Sequence, residues 1–135
     1  MELRKANELD FVRIHSAVCR KNLSYCTHYH VAEDWCKDRL YAVVDGDKVL
    51  ATLSLVEEPE YGYTAIKRLC ILNKKNQGKG IARFAIHEVA QQLHNCKIGA
   101  TPWEDNLTMR HLLESEGFHL EYIFNTVWCF YSKTP

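Results

Sequence analysis

The segment Gln77–Ala82 has the composition of a loop that binds an anion. It contains two glycines, Gly78 and Gly80, with Lys79 between them, and a periodic apolar run begins at Ile81. Glycines let backbone N–H groups approach a ligand closely, and the first N–H groups of a helix carry partial positive charge. The sequence therefore predicts that this loop opens a helix and holds phosphate oxygens.

Two common phosphate-binding motifs do not fit this loop. A Walker loop ends in Gly-Lys and a hydroxyl residue, whereas Gly80 is followed by Ile81. A Rossmann fingerprint needs a third glycine and an acidic residue about 20 residues further on, but Arg83 and Phe84 follow here. A nucleoside triphosphate and a dinucleotide are therefore both disfavoured as ligands.

Two longer patterns occur in order along the chain. Leu72, followed after four residues by Gln77–Ala82, is similar to a strand valine and a Q/R-x-x-G-x-G/A loop. The run Asn106–Phe118 is similar to a helix with the pattern N-x-x-A/M-x-x-L-Y-x-K-x-G-F. Together these motifs resemble those of the GNAT superfamily of N-acyltransferases. The resemblance implies one domain over residues 1–135, with an α/β fold whose mixed, mostly antiparallel sheet is flanked by helices.

The same resemblance implies a cofactor and its position. Acetyl-CoA would be the co-substrate, with its pyrophosphate on the loop amides and its pantetheine arm along the edge of the strand that ends at Leu72. The backbone N–H of Leu72 is expected to polarise the thioester carbonyl, although Leu69–Ile71 can also be aligned with the motif. The residues expected to bind the cofactor are Cys70, Ile71, Leu72, Gln77, Gly78, Lys79, Gly80, Ile81, Ala82 and Asn106.

The general acid departs from the family pattern. Many family members have a tyrosine after the helix leucine, and Leu113 stands at that position here. Tyr122 and Tyr131 are the candidate catalytic residues, with His111 as a further substitute, but each could equally be a packing or surface residue. Water could also protonate the leaving thiolate. A non-catalytic acyl-CoA-binding or interaction domain is the alternative that Leu113 favours, and turnover with an amine would separate the two.

Two other groups of residues could do chemistry. Three acids in a predicted turn are candidate general bases, or simply solvated charges: Glu57, Glu58 and Glu60. A second group has the thiol and imidazole ligands that suit zinc: Cys26, His28, His30 and Cys36. Their spacing fits no common zinc finger, so no metal is expected. The segment instead packs or shapes the pocket for the amine acceptor, which could be a small molecule or a protein.

Composition limits the partners and the compartment. Seventeen basic and seventeen acidic side chains cancel, so the chain lacks the overall positive field that draws proteins to nucleic acid. No uncharged run is long enough to span a bilayer, and no apolar signal segment follows Met1–Lys5. The six cysteines are scattered singly, which favours reduced thiols and a cytoplasmic protein.

The elements that must position these residues follow from apolar periodicity and turn residues. Helices are predicted over residues 7–19, 81–93 and 106–116, with a possible short helix over 32–37. Strands are predicted over 40–44, 49–56, 63–72, 97–101 and 122–131. Asp45-Gly46 predicts a tight hairpin between the first two strands, so three antiparallel strands precede the glycine loop. The exposed aromatic C-terminal strand could pair with a second subunit in a homodimer.

Overall fold

The computed structural model describes residues 1–21 and 23–135 of the chain. In this described part, seven strands, numbered β1 to β7 along the chain, are Glu2–Lys5, Leu40–Asp45, Lys48–Glu58, Tyr63–Ile71, Lys97–Ala100, His119–Phe124 and Trp128–Lys133. Within the same residues, the four α-helices, α1 to α4, are Glu8–Lys21, His28–Cys36, Ile81–Gln92 and Leu107–Ser115. The predicted helices and the first four predicted strands overlap these elements closely.

The strands form one sheet in the order β1-β2-β3-β4-β5-β7-β6. All neighbouring strands are antiparallel except β4 and β5, which run parallel. A parallel pair needs a crossover, which α3 provides between β4 and β5. This arrangement confirms the predicted α/β fold with a mixed, mostly antiparallel sheet.

Helices cover both faces of the sheet because each has one apolar side. On one face, α3 and α4 bury side chains such as Ile86 and Leu113. On the other face, α1 and α2 bury Ile14 and Val31 against the sheet, together with Cys70 of β4. None of the helices in the described residues is long and apolar enough to cross a membrane.

The N-terminal strand β1 was not predicted. Leu3 is its one buried apolar residue, and Glu2, Arg4 and Lys5 are charged, so no apolar alternation marks it. It nevertheless pairs antiparallel with β2 at the edge of the sheet. Four strands rather than three therefore precede the glycine loop.

The C-terminal segment is a hairpin, so the prediction of a single strand over residues 122–131 was wrong. β6 and β7 are antiparallel and joined by a turn in which Asn125 and Thr126 have φ angles of 51° and 61°. Turns with two positive φ angles usually contain glycine, and β-branched threonine rarely adopts this conformation. The turn therefore lacks the residues by which hairpins are predicted.

A β-bulge interrupts β4 at Arg68. Thr52 pairs with Cys70 whereas Ser54 pairs with Lys67, so β4 has one residue more than β3 between these pairs. Arg68 has a φ of 54°, a left-handed conformation that costs a non-glycine residue about 1–2 kcal/mol. The bulge changes the direction of β4 just beyond its parallel pairing with β5.

Candidate functional site

A gap opens in the sheet beyond the last β4–β5 pair, Ile66 with Ala100. On one side, β4 continues to Ile71 and stays paired with β3. On the other side, the chain after β5 stays with β7, because the N–H of Cys129 donates to the carbonyl of Pro102 at 3.0 Å. We call the two edges of the gap its lips. β3 holds the lip formed by β4, and β7 holds the lip that follows β5.

β4 directs the N–H of Ile71, rather than that of Leu72, into this gap. The N–H of Leu72 donates to the carbonyl of Leu50 at 3.0 Å, so it points towards β3. Successive residues of a strand direct their N–H groups to opposite edges, so the N–H of Ile71 faces the gap. The geometry therefore makes Ile71, one of the residues that the motif could also be aligned with, the candidate donor in place of Leu72. The bulge at Arg68 shifts the alternation along β4 and so sets which edge each N–H faces.

The side chains at the end of β4 face different layers. Cys70 and Leu72 pack into the core beneath α1 and α2, while Ile71 packs against the core of α3 and α4. Cys70 is only 1% exposed, and by the same alternation as Leu72 its N–H faces β3, so it presents no donor to the gap. Hydrogen bonds from Cys26 and Tyr25 lower the pKa of the Cys70 thiol to about 7, although burial opposes the shift. Burial, with Cys70 alongside, raises the pKa of Tyr25 to about 12.

The glycine loop leaves the first turn of α3 open. Gly78 and Gly80 have φ angles of 76° and 79°, which glycine adopts without strain. Among the described helices, side chains of Thr27 and Asn106 cap α2 and α4, whereas Gly80 offers α3 no side-chain cap. The N–H groups of Ile81–Arg83 have no acceptor within the helix. They are therefore available to oxygen atoms of a ligand.

The chain before the glycines is ordered by its own hydrogen bonds. Asn73 caps a short 3-10 helix, Lys74–Asn76, because its side chain accepts the N–H of Lys75 at 3.1 Å. The N–H of Gln77 donates to the carbonyl of Lys74 at 3.1 Å. These contacts fix the direction in which the loop enters α3.

A groove of about 850 Å³ lies beside the loop, between α1 and the β2–β3 turn. Two carboxylates, Asp45 and Asp47, line it. Five cationic side chains also line it, namely Arg13, Arg20, Lys48, Lys75 and Lys79. The chain has no net charge, so this excess of positive charge is local. Of these, only Lys79 was predicted from the sequence; Lys75 lies just before the loop, and Arg13, Arg20 and Lys48 come from distant segments that the fold brings together.

Asn106 lies on the lip of the gap that follows β5. Its side-chain oxygen accepts the N–H of Met109 at 3.2 Å and so caps α4. Its own N–H donates to the carbonyl of Trp103 at 3.0 Å. The oxygen of this predicted cofactor-binding residue is therefore engaged by the helix, which leaves its NH2 group as the donor for a ligand.

Tyr131 lies at the inner end of the gap. It pairs with Ala100, which also forms the last β4–β5 pair. Its hydroxyl donates to Glu114 Oε2 at 2.8 Å and accepts from Arg110 Nε at 3.0 Å. Burial raises the pKa of Tyr131, while Arg110 opposes this shift and Glu114 adds to it. The hydroxyl is thus held in one orientation at the side of α4.

Tyr122 lies on the opposite face of the sheet. Its ring is stacked on Phe130 at 5.1 Å, and its side chain is 53% exposed. Phe130 precedes Tyr131 on β7, so strand alternation directs Tyr122 and Tyr131 to different faces. Leu113 is fully buried in the core of α3 and α4, and His111 is exposed on α4. The candidate acids are therefore not brought together.

The three acids of the β3–β4 turn lie at the end of β4 away from the glycine loop. Glu57 and Glu58 end β3, and Glu60 follows in the turn. The glycine loop follows the other end of β4, a nine-residue strand roughly 25 Å long. Glu57 pairs with Thr64, two residues before the last β4–β5 pair at Ile66, and the role of these acids as general bases stays a prediction.

The His- and Cys-containing segment is used for structure. The side chain of His30 accepts the N–H of Thr27 at 3.1 Å and completes the N-terminal cap of α2. Cys26 is buried beside Cys70. Within residues 1–21 and 23–135, no three His, Cys, Asp or Glu side chains are grouped as metal ligands.

Comparison with known structures gives the same fold. A GNAT-family acetyltransferase from Streptococcus agalactiae superposes with a TM-score of 0.81 at 15% identity, covering 99% of this chain and 95% of that chain. The spermidine N-acetyltransferase from Vibrio cholerae, in complex with CoA and spermine, has a TM-score of 0.74 at 21% identity. That match covers 98% of this chain and 94% of the other. An aminoglycoside acetyltransferase in complex with coenzyme A has a TM-score of 0.75 at 17% identity, covering 98% and 93%.

The sequence itself identifies the family. No protein of curated function matches it significantly. The family described as acetyltransferase (GNAT) matches residues 9–118, which is most of the chain. This match includes the glycine loop, the gap beside β4 and helix α4. The chain therefore belongs to the acetyltransferase (GNAT) family of acyl-CoA-dependent transferases.

Proposed function

We propose that residues 1–135 act as a single domain that transfers an acetyl group from acetyl-CoA to a primary amine. The observation that carries this proposal is the uncapped first turn of α3 beside the gap in the sheet. The glycine loop supplies N–H donors for the pyrophosphate, and the adjacent cationic groove adds positive charge. The gap along β4 accommodates an extended pantetheine arm. The CoA complexes of two structural neighbours support the same ligand.

The gap also supplies a donor for the reacting carbonyl. In the proposed reaction, the neutral form of the amine attacks the thioester carbon, the C–S bond breaks to release the CoA thiolate, and the nitrogen gives up its proton to water. Negative charge develops on the carbonyl oxygen, and the N–H of Ile71 donates to that oxygen. Because β3 holds β4 on its other edge, this donor is already oriented before the reaction. Binding both reactants in one gap lowers the entropic part of the barrier.

Tyr131 is our proposed proton donor for the leaving thiolate, with Tyr122 as the alternative. Tyr131 lies beside Ala100 at the inner end of the gap, whereas Tyr122 faces the other side of the sheet. Its hydroxyl accepts from Arg110 and donates its proton to Glu114, so in the proposed step the hydroxyl turns from Glu114 to the leaving sulfur. Leu113 replaces the family tyrosine, so another residue or water must supply this proton.

Removal of the Tyr131 hydroxyl is expected to lower turnover. We predict that Tyr131→Phe reduces kcat about 100-fold, the lower range for losing a general acid, and leaves KM for acetyl-CoA nearly unchanged. Steady-state thiol release measures both constants, and Tyr122→Phe is the matched variant on the other face. If Tyr122→Phe alone loses kcat, the roles are reversed. If neither variant does, water is the donor.

We propose a cationic amine as the acceptor. Trp103 is 53% exposed on the lip that follows β5, where it packs edge-on against Trp128 at 4.9 Å. The exposed acids Glu104 and Asp105 come next in the chain. Aromatic faces and carboxylates both attract cations. The neighbouring enzymes named for spermidine and aminoglycosides act on amines of this kind.

Calorimetric titration with acetyl-CoA and with CoA tests the proposed function. Thiol release is then measured on the same sample with spermidine, an aminoglycoside and a lysine-containing peptide. We expect binding of both cofactor forms and amine-dependent release, fastest with a small cationic amine. Release with the peptide alone would indicate a protein acceptor. Binding without release would support a non-catalytic acyl-CoA-binding domain, and no binding at all would overturn the proposal.

The outer strand β6 supports a homodimer as part of the proposal. All six of its residues are exposed, including Leu120, Tyr122, Ile123 and Phe124. An edge strand with apolar side chains is suited to pairing with another strand. Light scattering of the purified chain measures the mass, and a strictly monomeric species would exclude this pairing.

The six cysteines support a reducing compartment. All six are free thiols, and three of them are buried: Cys26, Cys70 and Cys129. Free thiols persist in the cytoplasm, where disulfides are rare. We therefore propose a cytoplasmic protein, and localisation of a tagged chain would test this.

A further inference from the structure

A buried ion pair connects helix α2 to the bulge in β4. Arg68 donates from Nε to Asp34 Oδ2 at 2.8 Å and from Nη2 to Asp34 Oδ1 at 2.7 Å. The side chain of Asp34 is 2% exposed. It also accepts from Arg39 Nε at 2.7 Å and from the hydroxyl of Ser54. One carboxylate of α2 therefore binds side chains of β3, β4 and the chain before β2.

The backbone of Arg68 needs such support. Its φ of 54° is a conformation that non-glycine residues rarely hold unless the surrounding structure imposes it. A two-point guanidinium–carboxylate contact fixes the plane of the arginine side chain as well as its position. Because α2 is packed against the sheet, the carboxylate of Asp34 is itself fixed. The pair therefore holds the bulge in its left-handed form.

The supported bulge lies where β4 leaves β5. Ile66 and Ala100 form the last pair of the two strands, and the extra residue of β4 follows at once. A β4 without this bulge would continue straight beside the chain that follows Ala100. Its backbone would then compete for the space of the gap, and the N–H of Ile71 would change edges.

We propose that Asp34 and Arg68 are positioning residues that keep the gap open for acyl-CoA. They act through the backbone of β4, and Asp34 reaches it from a helix on the opposite face from α3 and α4. The proposal rests on the proposed function, because it assigns the gap to the pantetheine arm. It goes further by naming α2 as the element that sets the shape of the cofactor site.

Two substitutions of the same residue separate the backbone effect from the loss of the ion pair. Arg68→Ala and Arg68→Gly both remove the guanidinium, but only glycine holds a positive φ without strain. We expect Arg68→Ala to weaken CoA binding about tenfold and Arg68→Gly by less than about threefold, as measured by calorimetry. Asp38→Ala is the control for backbone strain elsewhere, because Asp38 has a φ of 58° and follows α2.

Hydrogen exchange of the Ile71 amide provides a second readout. Loss of stability alone would not slow this exchange. We expect this amide to exchange quickly in the wild-type chain and in Arg68→Gly. In Arg68→Ala it should become protected, because loss of the bulge would turn this N–H from the gap to β3. If Arg68→Ala does not fold, Arg68→Gly alone still decides, since a tenfold loss of affinity in that variant would contradict the proposal.

The outcomes distinguish this inference from the function on which it rests. If the wild-type chain binds no CoA, the proposed function fails. If the wild-type chain binds CoA and the two Arg68 variants bind it equally, the function stands and the positioning role of the pair is wrong.

Discussion

Gly80→Glu is expected to lower the affinity for acetyl-CoA by about 100-fold or more. Gly80 is the residue before the first turn of α3 and has a φ of 79°. A glutamate there must hold a strained backbone conformation. It also places a negative charge among the N–H groups that we assign to the pyrophosphate, where the helix dipole favours an anionic ligand. Calorimetric titration with acetyl-CoA measures the change.

Two further variants separate strain from charge in this prediction. Gly62→Glu introduces the same side chain at a φ of 73°, in the turn at the other end of β4. Gly62→Glu should lose an amount of stability comparable to that lost by Gly80→Glu, without losing affinity for acetyl-CoA. Gly80→Gln keeps the size and the strain at Gly80 but not the charge, so its affinity should lie between those of the wild type and Gly80→Glu. A folded Gly80→Glu variant with wild-type affinity would show that the pyrophosphate is bound elsewhere.

Asp34→Asn is expected to reduce the free energy of unfolding at pH 7 by about 3–5 kcal/mol, the usual cost of breaking a buried ion pair. The amide has nearly the shape of the carboxylate but cannot neutralise Arg68 and Arg39, which would remain partly buried without a counter-ion. Urea unfolding followed by circular dichroism gives this free energy. Glu33→Gln is the matched control, because Glu33 is exposed on the same helix and should change stability little.

The pH dependence of this loss follows from the pKa of Asp34. Burial raises that pKa, but hydrogen bonds from Arg68, Ser54 and Arg39 outweigh burial and hold it below its usual value of about 3.9. A group with a lowered pKa stabilises the fold fully above its unfolded pKa, and this contribution disappears as pH falls through the folded pKa. The difference between wild type and Asp34→Asn should therefore be constant from about pH 5 to pH 7 and shrink below about pH 4. A difference that stays constant below about pH 4 would mean that folding does not lower the pKa of Asp34.

The anion-binding loop could be predicted from sequence because its properties are local. Gly78 and Gly80 mark the turn, and the apolar period of α3 begins at Ile81, where the helix starts. The cationic groove beside the loop could not be predicted. Arg13 and Lys48 are far from the loop in sequence, and only the packing of α1 and the β2–β3 turn brings them to it.

The edge of β4 that each N–H faces could not be predicted, because a bulge is invisible to strand periodicity. Lys67 and Arg68 interrupt an apolar strand, which is a weak sign of irregular pairing. The conformation of Arg68 depends on Asp34, which lies 34 residues earlier in the chain. No local pattern contains such a contact. Only the observed hydrogen bond of Leu72 reveals which edge of β4 each N–H faces.

One hairpin turn and the first residues of one helix were missed for a related reason. Asn125 and Thr126 form a hairpin turn without glycine, so tertiary pairing of β6 with β7 imposes it. Helix α2 begins four residues before its predicted start because His30, rather than glutamate or glutamine, completes the cap with Thr27. In both cases the structural role, a tight turn or a helix cap, is filled by a residue type that is uncommon in it.

The lip of the gap formed by β4 is made mostly of main-chain atoms. This affects which positions can change in sequence during evolution while the gap is kept. Cys70 and Leu72 turn their side chains into the core, so a ligand along this edge meets mostly peptide groups. A mutation that replaces a side chain leaves the peptide groups in place, provided that the strand keeps its course. Natural variation can therefore replace most residues around the gap without removing the peptide groups that line it. Selection should act most strongly where the course of the strand is decided, at the glycines of the loop and at the bulge.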